Sequence, residues 1–315
     1  MTNPNHGDGS GEILGEWATT VEYFLHIAIL IGIYLILATG LNLIAGYAGL
    51  LSIAHAAFYG IGAYTAALMA LNLHSPILVN LICAMLLAGM LGAVVGVPSL
   101  RIRDDYFVIA TFAFQVIVFN VLNNWVSFTG GPMGLPGIPQ PVLFGWIVSS
   151  HFEFLLLVGC CCVAVLWICH RLVCSPFGRV LKAIREDEVF AQSAGKNVAA
   201  YKVLVSVIGA AMAAVAGVLY AHYISFIDPT SFTVMESIFI ISIVIIGGAG
   251  SLWGPVVGAV VLVTLPELLR FVGLPSAVAA NARQILYGAA LVACMMWRPQ
   301  GLVGDYSFQK GGGRQ

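Results

Sequence analysis

Long apolar runs separated by short polar segments recur along almost the whole chain. A helix needs about 20 mostly apolar residues to cross a membrane, because each residue advances it by about 1.5 Å. Runs of this kind cover residues 22–45, 48–72, 77–100, 105–126, 152–173, 203–226, 235–250, 254–272 and 283–297. The pattern predicts an all-α integral membrane protein, a polytopic bundle of about nine (8–10) transmembrane helices with Gly-broken segments.

Glycine interrupts two of these apolar runs. The first is NLIAGYAGLLSIAHAAFYGIG at 42–62, and the second is IIGGAGSLWGPVVGAVV at 245–261. Glycine weakens a helix interior by roughly 1 kcal/mol relative to Ala, and irregular backbone survives in a membrane only where protein or water satisfies it. The broken-helix glycines are Gly46, Gly49, Gly60, Gly62, Gly247, Gly248, Gly250 and Gly254. We predict that the first run lines a pathway, and that a re-entrant segment at 42–60 or 235–258 would change the number of spans.

Glycine at four-residue spacing also has a simpler interpretation. Gly92 and Gly96 form one such pair, and Gly250, Gly254 and Gly258 form a ladder. This spacing lets two helices approach closely. We interpret the ladder chiefly as packing and the run at 42–62 chiefly as a broken segment.

Composition excludes a soluble domain. Hydrophobic residues make up 60% of the chain, charged residues 9%, and the mean hydropathy is +0.97, whereas about 25% of residues are charged in soluble domains. All seven cysteines lie in or beside apolar runs without C-x-x-C spacing, so we interpret them as small hydrophobic residues and predict no metal site.

Polar residues inside spans are unfavourable unless they face a cavity or a partner. The candidates for a translocation path are Asn42, Ser52, His55, Gln115, Asn120 and Asn124.

Lysine and arginine predict the sidedness of the bundle, since cytoplasmic loops are enriched in both. In the loops they occur at 101–103, throughout 175–202 and at 298–314, but not in 1–20, 127–151 or 227–234, although Arg270 and Arg283 fall on the outer side of this assignment. We therefore expect a flexible extracytoplasmic tail at 1–20, a transmembrane domain at 21–304 and a cytoplasmic tail at 305–315. Residues 1–20 also lack the positive region of a cleavable signal peptide, so the first span is expected to direct insertion itself with no module before it.

The loop SPFGRVLKAIREDEVFAQSAGKNVAAYK, at 175–202, is far more charged than any other. From Arg179 to Ser193 its apolar residues have helical spacing, which predicts one short amphipathic helix across the inner face. Such a helix either rests on anionic lipid or docks a soluble partner. The acidic run at 186–188 favours the partner.

This loop resembles the coupling loop of ATP-binding-cassette importer permeases, and "GRVLKAIREDEVFAQSAGKNVAAYK" looks like the branched-chain amino acid permease family, the LivM/LivH group. The blocks "GLNLIAGYAGLLSIAHAAFYGIGAYTAAL", "DDYFVIATFAF", "TGGPMGLPGIP", "AGVLYA", "IGGAGSLWGPVVGAVVLVTLPELLR" and "RQILYGAALVACMMWRPQGLVG" resemble it in family order. "DDYF" and "RPQGL" make the likeness closer to the LivM branch. Phe190 departs from the family, which usually has Ala there, and residues 1–20 have no counterpart.

The resemblance implies a permease subunit of an importer in a bacterial inner membrane, multi-pass, with its N-terminus outside and its C-terminus cytoplasmic. The implied partners are a sister LivH-type permease, two ATPase subunits, a periplasmic solute-binding protein and membrane lipid, with no nucleic acid. Residues implied to couple the ATPases are Gly178, Arg179, Arg185, Glu186, Glu188, Ala191 and Gly195. The chain lacks a G-x-x-x-x-G-K-[ST] loop, so we expect no cofactor in this subunit, with ATP and Mg bound by its partners, and transport by alternating access.

Alternatives remain open. An importer of urea or short amides would look alike in the membrane, and a passive small-solute channel would leave the charged loop unexplained. An ion-coupled carrier would need ionisable groups at mid-membrane, whereas Glu236 and Glu267 lie near the ends of predicted spans. A membrane enzyme that uses Mg²⁺ would need repeated carboxylates, whereas Asp104 and Asp105 form an isolated pair.

Overall fold

The computed structural model describes residues 9–97, 104–143, 145–270, 276–298 and 300–304, without the side chains of 9–20, 104–105, 267–270 and 276–283. The predictions about the arginines at 101–103 and the tail at 305–315 therefore fall outside the described residues, and those about Asp104, Asp105 and Glu267 concern side chains that are not described. Residues 9–20 continue the first helix as backbone, and the assignment of 1–20 as an extracytoplasmic tail stays a prediction.

Helices form nearly all of the described chain. They are α1 Gly9–Leu41, α2 His55–Leu73, α3 Ile77–Gly96, α4 Asp104–Asn124, α5 Val126–Thr129, α6 His151–Cys174, α7 Pro176–Glu186, α8 Glu188–Ser193, α9 Val198–Ile224, α10 Val234–Gly247, α11 Gly254–Arg270 and α12 Ser276–Trp297. A π-helical segment, Asn42–Tyr47, continues α1, and 3-10 turns cover Gly131–Met133 and Pro229–Phe232. The strands have two residues each and form two antiparallel pairs: β1 Leu135–Pro136 with β4 Phe226–Ile227, and β2 Val142–Leu143 with β3 Trp146–Ile147.

Six helices are long and apolar enough to cross a membrane: α1 with its π-helical extension, α2, α3, α4, α6 and α9. Three shorter apolar helices cover Val234–Gly247, Gly254–Pro266 and Gln284–Trp297. Together they occupy the predicted spans in the predicted order. The all-α polytopic fold is thus confirmed for the described part of the chain.

Helices α1, α2 and α9 form the centre of the bundle, whereas α3, α4 and α6 expose much of their apolar surface. Small residues make the close central packing possible. A Cβ atom at Gly62 would lie 2.5 Å from the backbone of Ala214, and one at Gly217 would lie 2.2 Å from the carbonyl oxygen of Tyr59. Helices α2 and α9 therefore approach closely at these glycines, as small residues allow in membranes.

Two helices begin inside the bundle rather than at its surface. The hydroxyl of Tyr34, at the middle of the apolar stretch Val21–Tyr47, donates a hydrogen bond of 2.7 Å to Glu236 in the first turn of α10. The 14 residues of α10 extend only about 21 Å, less than the hydrocarbon core of roughly 30 Å. Glu236 thus lies at the start of its helix, as predicted, but its bond to Tyr34 places this helix start level with the middle of the apolar stretch of α1.

Helix α2 also starts deep. The Nε2–H of His55 donates to the carbonyl oxygen of Leu37 at 3.0 Å, so residues 48–54 return from the end of the π-helical segment towards the interior before α2 begins. The predicted span 48–72 thus began too early, because the returning residues are apolar like the helix that follows them.

Half of the predicted broken-helix glycines do not break a helix. Gly60 and Gly62 lie inside the continuous helix α2, and Gly247 and Gly254 lie at the facing ends of α10 and α11. A Cβ at Gly60 would lie 2.9 Å from the Phe232 ring, and one at Gly247 would lie 2.0 Å from the Gly254 carbonyl oxygen. These four glycines pack helices, and the breaks themselves contain Gly46, Gly49, Gly248 and Gly250.

Candidate coupling and translocation site

Asn42 joins the two glycine breaks. Its Nδ2 donates to the carbonyl oxygen of Ser251 at 2.8 Å, and its Oδ1 accepts from the backbone N–H of Gly250 at 2.8 Å. The side chain is 1% exposed, and a Cβ at Gly46 would lie 2.5 Å from the Gly250 nitrogen. A single buried amide therefore satisfies backbone groups that the second break leaves unpaired, as buried polar groups require.

Arg185, in the last turn of α7, reaches the same junction. Its Nη1 donates to the carbonyl oxygen of Gly46, in the π-helical segment. Gly49 adopts a φ of +75° and packs against the Arg185 side chain, so that a Cβ added at Gly49 would lie 3.1 Å from Cγ of Arg185. Helix α7 is thus bonded directly to the first break and, through Asn42, to the second.

The C-terminal end of the described chain completes this junction. The backbone N–H groups of Leu302 and Val303 donate to the carbonyl oxygens of Ile246 and Gly247, at 2.8 and 3.0 Å. The loop at 175–202 and the segment at 300–304 therefore meet on one face of the bundle. This agrees with the sequence-based placement of both on one side of the membrane.

The loop at 175–202 contains two helices instead of the one predicted from Arg179 to Ser193. Helix α7 ends at Glu186, and Asp187 takes an extended conformation in which its side chain accepts a hydrogen bond of 2.9 Å from the N–H of Phe190. An Asp side chain competes well for backbone N–H groups at a helix start, which explains the interruption.

Buried contacts hold both helices against α9. Ile184, Ala191 and Val198 form a small apolar core, and Lys202, 2% exposed, pairs with Glu188 at 2.7 Å. Ala191 was predicted to touch an ATPase, but its side chain faces this core. Gly178 is also buried, and a Cβ added there would lie 2.2 Å from the carbonyl oxygen of Val173.

The exposed tip of the loop is centred on Val189 and Phe190, two residues that were not among the predicted coupling residues. Val189 and Phe190 are 74% and 67% exposed, and Glu186, Asp187 and Gln192 around them are also exposed. Of the predicted coupling residues, Arg179, Glu186 and Gly195 are exposed as well, while Arg185 and Glu188 are half-buried. Phe190 was noted only as a departure from a family pattern, although an aromatic residue in a charged loop was the signal that could have identified it.

Four of the six candidate path residues are buried and bonded within the chain. Gln115 accepts from the N–H of Ala57 at 2.6 Å and donates to the carbonyl oxygen of Phe232 at 2.8 Å. Ser237, which the sequence analysis missed, accepts from the N–H of Ala56 at 3.0 Å. These side chains bond to the first N–H groups of α2, where a helix lacks intrahelical partners, although Ala57 also donates to the carbonyl oxygen of Ala54 at 3.1 Å.

Ser52 and His55 belong to the same start of α2. Ser52 Oγ accepts from the N–H of Ala54 at 3.4 Å, and Nδ1 of His55 is buried without a hydrogen-bond partner among the described residues. Their positions support the helix start in this conformation.

Asn120 and Asn124 differ, because both lie exposed on α4 and, among the described residues, donate only to carbonyl oxygens of their own helix, of Val116 and Asn120. Amides on the outside of a spanning helix favour contact with a partner or a water-filled path over contact with lipid. The described residues contain no group of three or more His, Cys, Asp or Glu side chains placed to hold a metal ion.

Comparisons with known proteins agree with one another. A model of the family described as "Branched-chain amino acid transport system / permease component" matches residues 23–295. The chain is 38% identical to the high-affinity branched-chain amino acid transport system permease protein LivM of Escherichia coli K12 over 300 residues, which cover 88% of this chain and 69% of that protein. It is 27% identical to a probable LivM permease of Methanocaldococcus jannaschii, over 90% and 94% of the two chains, and 28% identical to LivH of Salmonella typhimurium, over 88% and 93%. No solved structure matches significantly.

Proposed function

Because this chain belongs to the family of permease components of branched-chain amino acid transport systems, we propose that it is one of two permease subunits of an ATP-driven importer for branched-chain amino acids. It forms the membrane path together with a sister LivH-type permease. Two ATPase subunits drive transport, and a periplasmic binding protein delivers the solute. The chain binds no nucleotide itself and lies in a bacterial inner membrane, with its N-terminus outside and its C-terminus in the cytoplasm.

One observation carries the mechanism: the contact from Arg185 through Gly46 to Asn42 and the second break. An ATPase that moves the tip of the loop at 175–202 pulls on α7, and α7 is bonded to both chain breaks. Breaks of this kind are where a packed bundle changes shape, because regular helices on either side move as rigid bodies. The coupling loop and the broken segments thus form one mechanical unit.

Alternating access requires that the ATPases favour one arrangement of this unit over another. The exposed residues Val189 and Phe190 supply an apolar contact for an ATPase groove, and the acidic residues around them add orientation. The exposed amides on α4, Asn120 and Asn124, face the sister permease or the path between the two subunits.

The test uses the full importer expressed with its partners. Phe190→Asp is compared with Trp146→Asp, because Trp146 is 73% exposed and lies in the hairpin on the opposite side of the bundle. We expect the ATPases to co-purify with wild type and Trp146→Asp, and ATP to drive leucine uptake into proteoliposomes in both. Phe190→Asp should lose the ATPases and the uptake.

Two results would count against the proposal. Leucine flux that continues without ATP would favour a channel or an ion-coupled carrier. ATP-driven uptake of urea or a short amide, with none of leucine, would keep the importer but change its solute.

A further inference from the structure

Aromatic side chains surround a carboxylate about halfway across the bundle. Glu236 lies four residues after Phe232 and accepts the hydrogen bond from Tyr34, and the rings of Tyr59 and Tyr220 pack with their centroids 5.4 Å apart. Phe232 closes the group, with ring centroids 5.0 Å from Tyr59 and 6.2 Å from Tyr220. We call Tyr34, Tyr59, Tyr64, Tyr220, Phe232 and Glu236 the aromatic chamber.

The chamber has a closed side and an open side. Tyr59, Tyr64 and Phe232 are almost completely buried, whereas Tyr34, Tyr220 and Glu236 are half-buried. A solute that contacts the carboxylate would therefore approach from the half-buried side.

Glu236 has no positive partner in the described part of the chain. Tyr34 occupies Oε1, and Oε2 receives no hydrogen bond from a described residue. Charged groups this deep in a membrane protein usually pair with one another or serve a solute path. The start of α10 stabilises the carboxylate through the helix dipole, but this leaves Oε2 available.

Tyr64 provides a second, independent sign of a ligand. It is 3% exposed, and its hydroxyl has no hydrogen-bond partner among the described residues. Its ring lies 6.0 Å from Phe232, so it belongs to the closed side of the chamber. Buried hydroxyls are normally paired, and an unpaired one in this aromatic cluster marks a position for a polar group from outside the chain.

We propose that the aromatic chamber binds the ammonium group of the transported amino acid, with Glu236 as its counter-ion and the tyrosine rings as its walls. Carboxylates and aromatic faces both attract cations, and ammonium ligands are recognised by this combination. The outer segments 127–151 and 227–234 carry no Lys or Arg, so no positive charge in them opposes entry. The proposal rests on the proposed function and adds that this chain recognises the ammonium group of the solute.

The test measures equilibrium binding to the purified importer in nanodiscs, without the binding protein. The probes are 3-methylbutylamine, which is leucine without its carboxylate, and 4-methylpentanoate, which is leucine without its ammonium group. We expect wild type to bind the amine, and the acid not to compete with it. Glu236→Gln should weaken amine binding roughly tenfold or more, because a hydrogen bond to a charged group is lost. The control Glu22→Gln changes an exposed carboxylate of α1 and should match wild type.

Tyr34→Phe keeps the ring and removes one hydrogen bond, so it tests the chamber even if Glu236→Gln does not fold. It should weaken amine binding less than Glu236→Gln does. Amine binding equal to wild type in either variant, in an importer that still drives leucine uptake with ATP, would overturn the ammonium site and leave the importer intact. A wild-type importer without ATP-driven leucine uptake would overturn the proposed function, and this proposal with it.

Discussion

Asn42 is the residue on which the two breaks depend. Its amide gives one donor and one acceptor to a backbone turn more than 200 residues away in sequence, at Gly250 and Ser251. The amide carries its donor and its acceptor on two separate atoms, which a single hydroxyl group does not. The sequence identified Asn42 as a polar residue in a span, but its partners became visible only when the breaks were placed side by side.

Asn42→Ala should uncouple transport without dissociating the complex. The change leaves a buried N–H and a buried carbonyl oxygen unpaired, at a cost on the order of 1–3 kcal/mol each. Leucine uptake per ATP hydrolysed should fall roughly tenfold, since the second break no longer follows the first. Thr65→Ala is the control, because Thr65 bonds only to Ile61 of its own helix. If Asn42→Ala and the control take up the same amount of leucine per ATP hydrolysed, Asn42 does not couple the two breaks.

At the scale of elements, close packing of α2 on α9 positions the deep helix start of α2. The same approach occurs between α3 and α9, where a Cβ at Gly92 would lie 2.8 Å from the Cβ of Ala210 and one at Gly96 would lie 3.0 Å from the Cα of Val203. The four-residue spacing of Gly92 and Gly96 predicted this contact. The local sequence does not show that Gly62 packs two helices while Gly46 lies in a helix break, because both glycines interrupt the same apolar run.

Gly62→Ala should destabilise the protein, because the new methyl group overlaps the backbone of Ala214. Overpacking of this kind costs about 1–3 kcal/mol. Gly159→Ala is the matched control: Gly159 lies in α6, and its Cβ would meet nothing within 4 Å, so the better helix propensity of Ala should leave stability equal or slightly higher. Thermal unfolding of the two variants in detergent, followed by size-exclusion chromatography, measures the difference. Equal midpoints would show that α2 and α9 can separate freely.

For the whole molecule, the positive loop and the C-terminal segment converge on one face, and the hairpin of β2 and β3 lies in the segment expected outside. Helices α2 and α10 start near the middle between these faces. Their first turns meet around Gln115 and Ser237. A bundle with two helix starts at its centre has polar backbone ends there, which full-length spanning helices would place at the surfaces.

A membrane-impermeant maleimide can show which side of the membrane the hairpin and the loop at 175–202 occupy. In a background where the exposed Cys160 and Cys174 are replaced by Ala, Trp146→Cys should react in intact spheroplasts. Phe190→Cys should react only after the membrane is opened. The reverse pattern would invert the orientation that the Lys and Arg distribution predicts.

Composition and local periodicity are enough to predict the membrane class, the order of the apolar helices and the charged loop. Hydrophobic length sets where a helix can cross, and positive charge predicts which side a loop occupies. The same local information predicted helix packing at Gly92 and Gly96.

The folded bundle was needed to show which glycines break helices, how deep α2 and α10 begin, and which polar residues bond to distant backbone. An apolar residue in a returning loop has the same side chain as one in a helix, so periodicity cannot separate the two. The depth of Glu236 likewise follows from its bond to Tyr34 and not from its place near the end of an apolar run. Contacts between residues about 200 positions apart depend on the folded bundle, because no local pattern records them.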